Sequence, residues 1–160
     1  MNKKIRISVV LLIIAAVGFI GYIQIFGLSF EGKESDFYVP AVTGEANILA
    51  YKNSCTELNL SQVSKDPYSL IDKNVKVTGE IIEKKEYVQF DKARTSIVLK
   101  IPGLSPDPYI FVNYSGTLTF TQGDMITVYG KYHYPGRTDA PPEIANKHLP
   151  VIRAAYIEKK

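Results

Sequence analysis

Cysteine and histidine are scarce in this chain of 160 residues, which has Cys55, His133 and His148 and no others of either type. One cysteine cannot form an internal disulfide, so Cys55 is either a buried small apolar residue or a free or intermolecular thiol. The three residues do not cluster as zinc ligands do, and neither histidine has an acidic partner at the spacing of a nucleophile–base pair. We therefore expect no catalytic residue, no metal site and no enzymatic activity.

Phosphate-binding motifs and a strong excess of one charge are also missing. The chain contains neither G-x-G-x-x-G nor a P-loop, so we expect no nucleotide cofactor or other cofactor. Its net charge of +3 comes from Lys3, Lys4 and Arg6, because the other sixteen basic residues balance the sixteen acidic ones. Binding to nucleic acid requires a basic groove, so the neutral remainder argues against a nucleic-acid partner.

An uncharged apolar run covers residues 7–28, ISVVLLIIAAVGFIGYIQIFGL. As a helix it would be about 33 Å long, enough to cross the hydrocarbon core of a bilayer. Because basic flanks stay inside, we predict a cytoplasmic flank (1–6), a single-pass membrane anchor (7–28) and a C-terminal portion outside the cytoplasm. A cleaved signal peptide is the alternative, although its apolar region would be shorter and followed by small residues.

After the anchor, residues 29–60 have no clean period, and we interpret them as a stalk or linker. Residues 61–70 predict a short helix or a turn, and Pro67 limits any helix there to about one turn on each side. From residue 74 the apolar period becomes two, which predicts strands, with a turn at 91–94 and a loop at 115–123. Gly79 indicates a bend or bulge within the first strand. The strands are predicted at 74–90, 95–101, 109–114, 125–134 and 151–158.

Five strands of this kind predict a mainly β domain over residues 61–160, a small barrel of either up-and-down or Greek-key order. The segment 75–81, VKVTGEI, resembles the first strand of OB-folds, and 123–130, GDMITVYG, resembles their fourth. The segment 149–158, LPVIRAAYIE, is similar to the last strand of tRNA-anti-like OB domains. The resemblance implies a five-stranded OB-fold preceded by a short helix, of the kind found in exported or membrane-anchored prokaryotic proteins.

A second resemblance is to the haem chaperone of cytochrome c maturation. Residues 36–40, DFYVP, and 112–118, VNYSGTL, are similar to that family. The resemblance implies an N-terminal anchor, a short stalk and an external OB barrel. The family's haem-attaching H-x-x-x-Y motif is missing after the barrel, since His148 precedes the last predicted strand, so it implies the architecture without the haem chemistry.

OB-folds bind oligonucleotides and oligosaccharides on the outer face of strands two and three. Phe111 beside Lys100 could stack on a base or sugar ring there, or Phe111 could pack beneath the stalk or the preceding helix. A second outward row consists of Tyr129, Lys131 and His133. The full candidate binding face is Lys76, Thr78, Val98, Lys100, Phe111 and Asn113.

Together these features predict a non-enzymatic, membrane-anchored OB-fold module outside the cytoplasm that binds a protein or peptide. One alternative is a carrier of a small ligand, such as a haem or glycan chaperone. A second alternative is binding of single-stranded nucleic acid.

Overall fold

The computed structural model describes residues 37–103, 109–136 and 149–160. The regular elements in these ranges are two short helices and six strands. The elements are α1 (Glu45–Ser54), β1 (Thr56–Glu57), α2 (Leu60–Lys65), β2 (Asn74–Gln89), β3 (Lys92–Lys100), β4 (Tyr109–Tyr114), β5 (Met125–Gly136) and β6 (Leu149–Lys159). Neither helix in these ranges is long and apolar enough to cross a bilayer. The predicted anchor, 7–28, and His148 lie outside the described residues.

Five of the strands close into a barrel. They are hydrogen-bonded in the order β2-β3-β4-β6-β5, and β5 also pairs with β2, which closes the barrel. The β4–β6 pair is parallel, and the other four pairs of the barrel are antiparallel. Because β4 neighbours β6 and not β5, the barrel has the Greek-key order of an OB-fold, and the up-and-down alternative is wrong. The predicted OB-fold is confirmed.

Strand β2 is shared by two neighbours, which is why it is sixteen residues long. Its first half, from Asn74 to Glu80, pairs with β5, and its second half pairs with β3. The register shifts between Ile81 and Glu83, so the bulge falls just after Gly79. At Gly79 itself a Cβ would lie 2.9 Å from the carbonyl oxygen of Lys100, so this glycine allows close approach of β3.

Alternate residues of the five barrel strands form the core. They are apolar because one face of each strand points into the barrel and away from water. Leu58 and Val63 join the same cluster, so α2 and the residues before it pack on the barrel. The fully buried members from the strands include Val75, Ile81, Ile97, Leu99, Ile110, Val112, Ile126, Val128, Tyr132, Ile152 and Ala154.

The turn between β2 and β3 is tighter than the sequence predicts. We expected a turn at 91–94 and a strand from 95, but the turn is Phe90–Asp91 and β3 begins at Lys92. Both turn residues have positive φ, 54° and 56°, as a two-residue type I′ hairpin requires. The polar residues 92–94 resemble a loop, yet they pair with residues 87–89 of β2. The connection 115–123 contains no helix, as predicted.

Part of the predicted stalk has regular structure. Residues 45–54 form α1 within the segment interpreted as a stalk or linker, and none of its side chains is fully buried. Strand β1 was not predicted, because two residues cannot show a period. It runs parallel to the start of β2, with Thr56 opposite Val75. The boundary between stalk and domain at residues 60–61 stays a prediction.

Candidate functional site

The outer face of β3 and β4 is the surface that OB-folds use for ligands. On β3 the even-numbered residues alternate with the core residues Ile97 and Leu99, and therefore point outward. The register places Lys100 opposite Tyr109, Val98 opposite Phe111, and Ser96 opposite Asn113. Four residues of the predicted binding face thus lie together on two adjacent strands: Val98, Lys100, Phe111 and Asn113.

The other two predicted residues, Lys76 and Thr78, lie elsewhere on the barrel. They belong to the half of β2 that pairs with β5, where Lys76 is opposite Tyr129 and Thr78 is opposite Thr127. The hydroxyl oxygens of Thr78 and Thr127 are 2.9 Å apart. Lys76 and Thr78 therefore lie beside the second candidate row and do not extend the β3–β4 face.

Residues 37–42, which we name the strap, cover part of the β3–β4 face. The guanidinium of Arg94 on β3 lies 4.1 Å from the ring centroid of Tyr38, a cation–π contact, and both side chains are buried. The Tyr38 hydroxyl is 2.7 Å from the Tyr87 hydroxyl and donates to Gln89 Oε1 at 3.0 Å. Burial, and then the hydrogen bond with Tyr87, raise the pKa of Tyr38.

The other end of the strap contacts β6, on the far side of β4 from the β2–β3 hairpin. The Val42 N–H donates to the Ala155 carbonyl oxygen of β6 at 2.8 Å. Since β4 lies between β3 and β6, the strap contacts both strands that neighbour β4. Asn113 of the predicted face is buried, and so is its neighbour Ser96.

A second apolar cluster covers the centre of the face. Val98 and Leu149 are both buried there, and Ile82, Tyr109 and Phe111 pack around them. Phe111 thus packs against this cluster, where we had considered packing beneath the stalk or the helix. Phe111 remains half-exposed, as do Ile82 and Tyr109.

The exposed Lys100 borders this cluster and forms no salt bridge with any residue of the described ranges. Glu80 of β2 is its cross-strand neighbour. We name the accessible remainder of the surface the open face, defined as Ile82, Lys100, Tyr109 and Phe111. Its three apolar or aromatic side chains and single cation are the groups that a ligand could contact.

Helix α1 covers the start of the second candidate row. Its Lys52 ammonium lies 5.2 Å from the ring centroid of Tyr129, 5.9 Å from that of Tyr156 and 2.8 Å from Glu158 Oε1. The Tyr129 hydroxyl also donates to Glu158 Oε1 at 2.8 Å. Tyr129 is consequently only 7% exposed, while Lys131 and His133 are half-buried.

The charges in this second row explain why it holds the helix. Burial alone would raise the pKa of Glu158, but the hydrogen bonds from Lys52 and Tyr129 outweigh burial and lower it. The carboxylate therefore stays charged at neutral pH and keeps Lys52 in place. This row serves an internal contact, which leaves little of it for a ligand.

Three lysines of β2 are ion-paired. Lys76 lies 3.4 Å from Glu57, Lys84 lies 3.0 Å from Glu86, and Lys85 lies 2.9 Å from Glu83. Arg153 on β6 contacts Asp72 in the same way. These pairs neutralise most of the cations near the candidate faces. In the described ranges, no three potential metal ligands come together.

Sequence reasoning missed the strap and the role of Arg94. We had placed Arg94 in a turn. Because the alternation of β3, continued towards its first residue, puts Arg94 on the same face as Val98, the sequence did contain a signal for its position. The contact of Tyr38 with Arg94 joins residues 56 positions apart and leaves no periodic pattern in the sequence.

No protein-family model and no curated protein sequence matches this chain. Twelve solved chains are similar to it, including the following three. A small single-stranded DNA-binding protein from Streptomyces coelicolor is 12% identical, over 57% of this chain and 96% of that one, with a TM-score of 0.45. The second single-stranded DNA-binding protein of Mycobacterium smegmatis is 17% identical, over 56% and 90%, with a TM-score of 0.41. A proposed nucleic acid-binding lipoprotein from Klebsiella pneumoniae is 13% identical, over 74% and 99%, with a TM-score of 0.48.

Proposed function

We propose that this chain is a membrane-anchored OB-fold module outside the cytoplasm that binds a protein or peptide and catalyses no reaction. The observation that carries the proposal is the strap. This segment reaches from Arg94 of β3 to Ala155 of β6, held by one backbone hydrogen bond and a buried tyrosine. A surface that already holds one segment of polypeptide suits a second one on its uncovered part.

The open face has the composition of a peptide-binding surface. Tyr109 and Phe111 provide aromatic area, and Ile82 adds an aliphatic edge. Aromatic anchors of this kind contribute most of the affinity of protein interfaces. Lys100 would meet an acidic side chain of the partner. The expected ligand is therefore an extended segment that carries apolar residues and at least one carboxylate.

The test is photo-crosslinking in the native cells. A photoreactive residue replaces Phe111 in the open face, and a matched control replaces Tyr68, which is 59% exposed and precedes β2. We expect a discrete protein adduct from position 111 and none from position 68. If position 111 gives no protein adduct although the protein is well expressed, or if both positions give the same adduct, the proposal is wrong.

Single-stranded nucleic acid is the second candidate ligand, and one observation favours it. Lys100 lies directly opposite Tyr109, so a base could stack on Tyr109 or Phe111 while Lys100 contacts a phosphate. The ion-paired lysines of β2 weigh against an extended binding track. The same open face would then make few phosphate contacts.

Salt dependence separates the two candidates. Each phosphate contact contributes about −0.7 to the slope of log K against log salt for a single strand, so one free lysine gives a shallow slope. We expect weak, shallow binding of a labelled oligonucleotide in fluorescence anisotropy. Tight binding with a steep slope that both F111A and K100A abolish would establish nucleic acid as the ligand and overturn the peptide proposal.

A further inference from the structure

The tip of the β2–β3 hairpin is apolar and exposed. Val88 is 75% exposed, and Tyr87 and Phe37 are 39% and 40% exposed. The half-exposed ring of Phe90 lies 6.5 Å from the ring of Phe37, measured between centroids. We name these four residues the apolar tip. Soluble domains seldom place an apolar group of this size at a hairpin end, where polar turn residues are usual.

Phe90 occupies this tip at a cost in stability. It is the first residue of the two-residue turn and has a φ of 54°. Type I′ turns need positive φ at both central positions and therefore favour Asn-Gly or Asp-Gly. A bulky side chain in this left-handed region clashes with its own backbone. The turn thus keeps an exposed aromatic ring where a polar residue would fold better, which points to a role outside folding.

The course of the chain indicates what the tip meets. Phe37 is the first described residue, and the apolar run of the predicted anchor ends nine residues earlier, at Leu28. Nine residues span at most about 30 Å when fully extended. A link of this length lets the tip reach the bilayer surface wherever the anchor is inserted. Tyrosine is enriched at membrane–water interfaces, and phenylalanine is typical of the apolar faces with which interfacial segments enter the headgroup region.

We infer that the apolar tip docks into the headgroup region of the outer leaflet of the bilayer that holds the anchor. The charges of the adjacent residues permit this, because Asp91 and Lys92 together have no net charge. The inference rests on the anchor of the proposed function. It adds a second point of attachment, so that the barrel is held against the membrane by the hairpin as well as by the chain that leads to it.

The chain contains no tryptophan, so a single introduced indole reports its own surroundings. The experiment uses the full chain reconstituted in phosphatidylcholine vesicles, with bromine on the acyl chains near the headgroups. V88W reports on the tip. Y68W is the matched control, since Tyr68 is 59% exposed and precedes β2, at the end of that strand opposite to the hairpin.

We expect a blue-shifted emission for V88W and about twofold quenching by bromine, because an interfacial side chain lies at the boundary of headgroups and acyl chains. Y68W should show neither effect. The variant F90N in the V88W background tests whether the tip as a whole is responsible, since Asn suits the turn and removes the ring. Its quenching should fall clearly below that of V88W.

Four results would overturn the inference, and they separate it from the proposed function. Absence of quenching in V88W, while the protein floats with the vesicles, disproves docking of the tip and leaves the anchor intact. Failure to float disproves the anchor and the docking together. Equal quenching of V88W and Y68W shows unspecific adsorption. Unchanged quenching in V88W/F90N shows that the introduced indole inserts by itself.

Discussion

The hydroxyl group of Tyr132 is buried inside the barrel and has no hydrogen-bond partner among the described residues. Burial raises its pKa from 10.0 to about 12, because the phenolate would lose its hydration. A buried donor without a partner costs about 1–3 kcal/mol relative to one that is satisfied. Tyr132 is therefore a residue whose ring stabilises the core while its hydroxyl does not.

The first prediction concerns removal of this hydroxyl. Y132F should raise the free energy of unfolding by about 1 kcal/mol, because the ring stays and the unsatisfied group goes. Urea denaturation at pH 7 measures the change. The control is Y129F, which loses a hydrogen bond to Glu158 and should be less stable than the wild type. A decrease in stability for Y132F would show that the hydroxyl has a partner.

At the scale of elements, α1 is the helix that is less firmly attached to the barrel. None of its side chains is fully buried, although Tyr51 is half-buried, and its Lys52 contacts Glu158, Tyr129 and Tyr156 of the barrel. Helices without a fully buried face depend on a few such contacts. Local opening of α1 should therefore require much less free energy than unfolding of the barrel.

The second prediction follows from this contact. K52A should speed hydrogen exchange of the α1 amides, while the core strands exchange as in the wild type. E158Q should have the same effect, because it removes the charge that holds Lys52. K84A is the control, since Lys84 pairs with Glu86 on β2. Unchanged exchange of α1 in K52A would mean that other contacts hold the helix.

The third prediction concerns the β2–β3 hairpin. F90N should raise the free energy of unfolding by about 1 kcal/mol, because Asn tolerates the positive φ that strains Phe90. Urea denaturation measures it. V88N, at an exposed strand position, should lie within about 0.5 kcal/mol of the wild type. Lower stability of F90N would show that the ring contact with Phe37 outweighs the strain.

Elements in which apolar residues recur at a regular spacing could be predicted from the sequence, and elements without such a spacing could not. The alternation of apolar residues indicated β2 to β6, and β4 was predicted with its observed bounds. The start of β3 was misplaced because its polar residues 92–94 suggest a loop. Strand β1 and the strap rest on contacts between distant parts of the chain, and so have no local pattern.

At the scale of the whole molecule, titrating groups limit stability at both ends of the pH range. Burial raises the pKa of the hydroxyls of Tyr51 and Tyr132 to about 12. Hydrogen bonds lower the pKa of Asp124, mainly through Lys159, and that of Glu86, mainly through Lys84. The raised pKa values of the phenols stabilise the fold below pH 10. The lowered pKa values of the carboxyl groups stabilise it above pH 4, which is near their pKa in the unfolded chain.

The fourth prediction is a stability plateau between about pH 5 and pH 10. Above pH 10 the unfolded chain releases phenolic protons that the fold retains, so stability falls up to about pH 12. Below the plateau stability falls as the carboxylates are protonated. Urea denaturation from pH 3 to 12 measures the curve, with Y132F as the variant that should lose less on the alkaline side. Constant stability through pH 11 would contradict the burial of these tyrosines.

The fold of the whole molecule could be predicted further than its candidate site. Strand motifs around Gly79 and Gly130 indicated an OB-fold, and the strand order agrees. The sequence did not show that the predicted binding face would be split between two parts of the barrel. Lys76 and Val98 both point outward, and the local pattern does not distinguish them. Which neighbour each half of β2 pairs with depends on closure of the barrel, and a local pattern does not contain that information.

The position of β6 has a consequence for how the chain matures. Although β6 follows the other barrel strands in the chain, it lies between β4 and β5. Before it is added, the earlier strands can form only the open sheet β4-β3-β2-β5, with an unpaired edge at each end. Open edges recruit strands from other molecules. We therefore expect a chain that stops before β6 to keep both edges open and to aggregate more readily than the full chain.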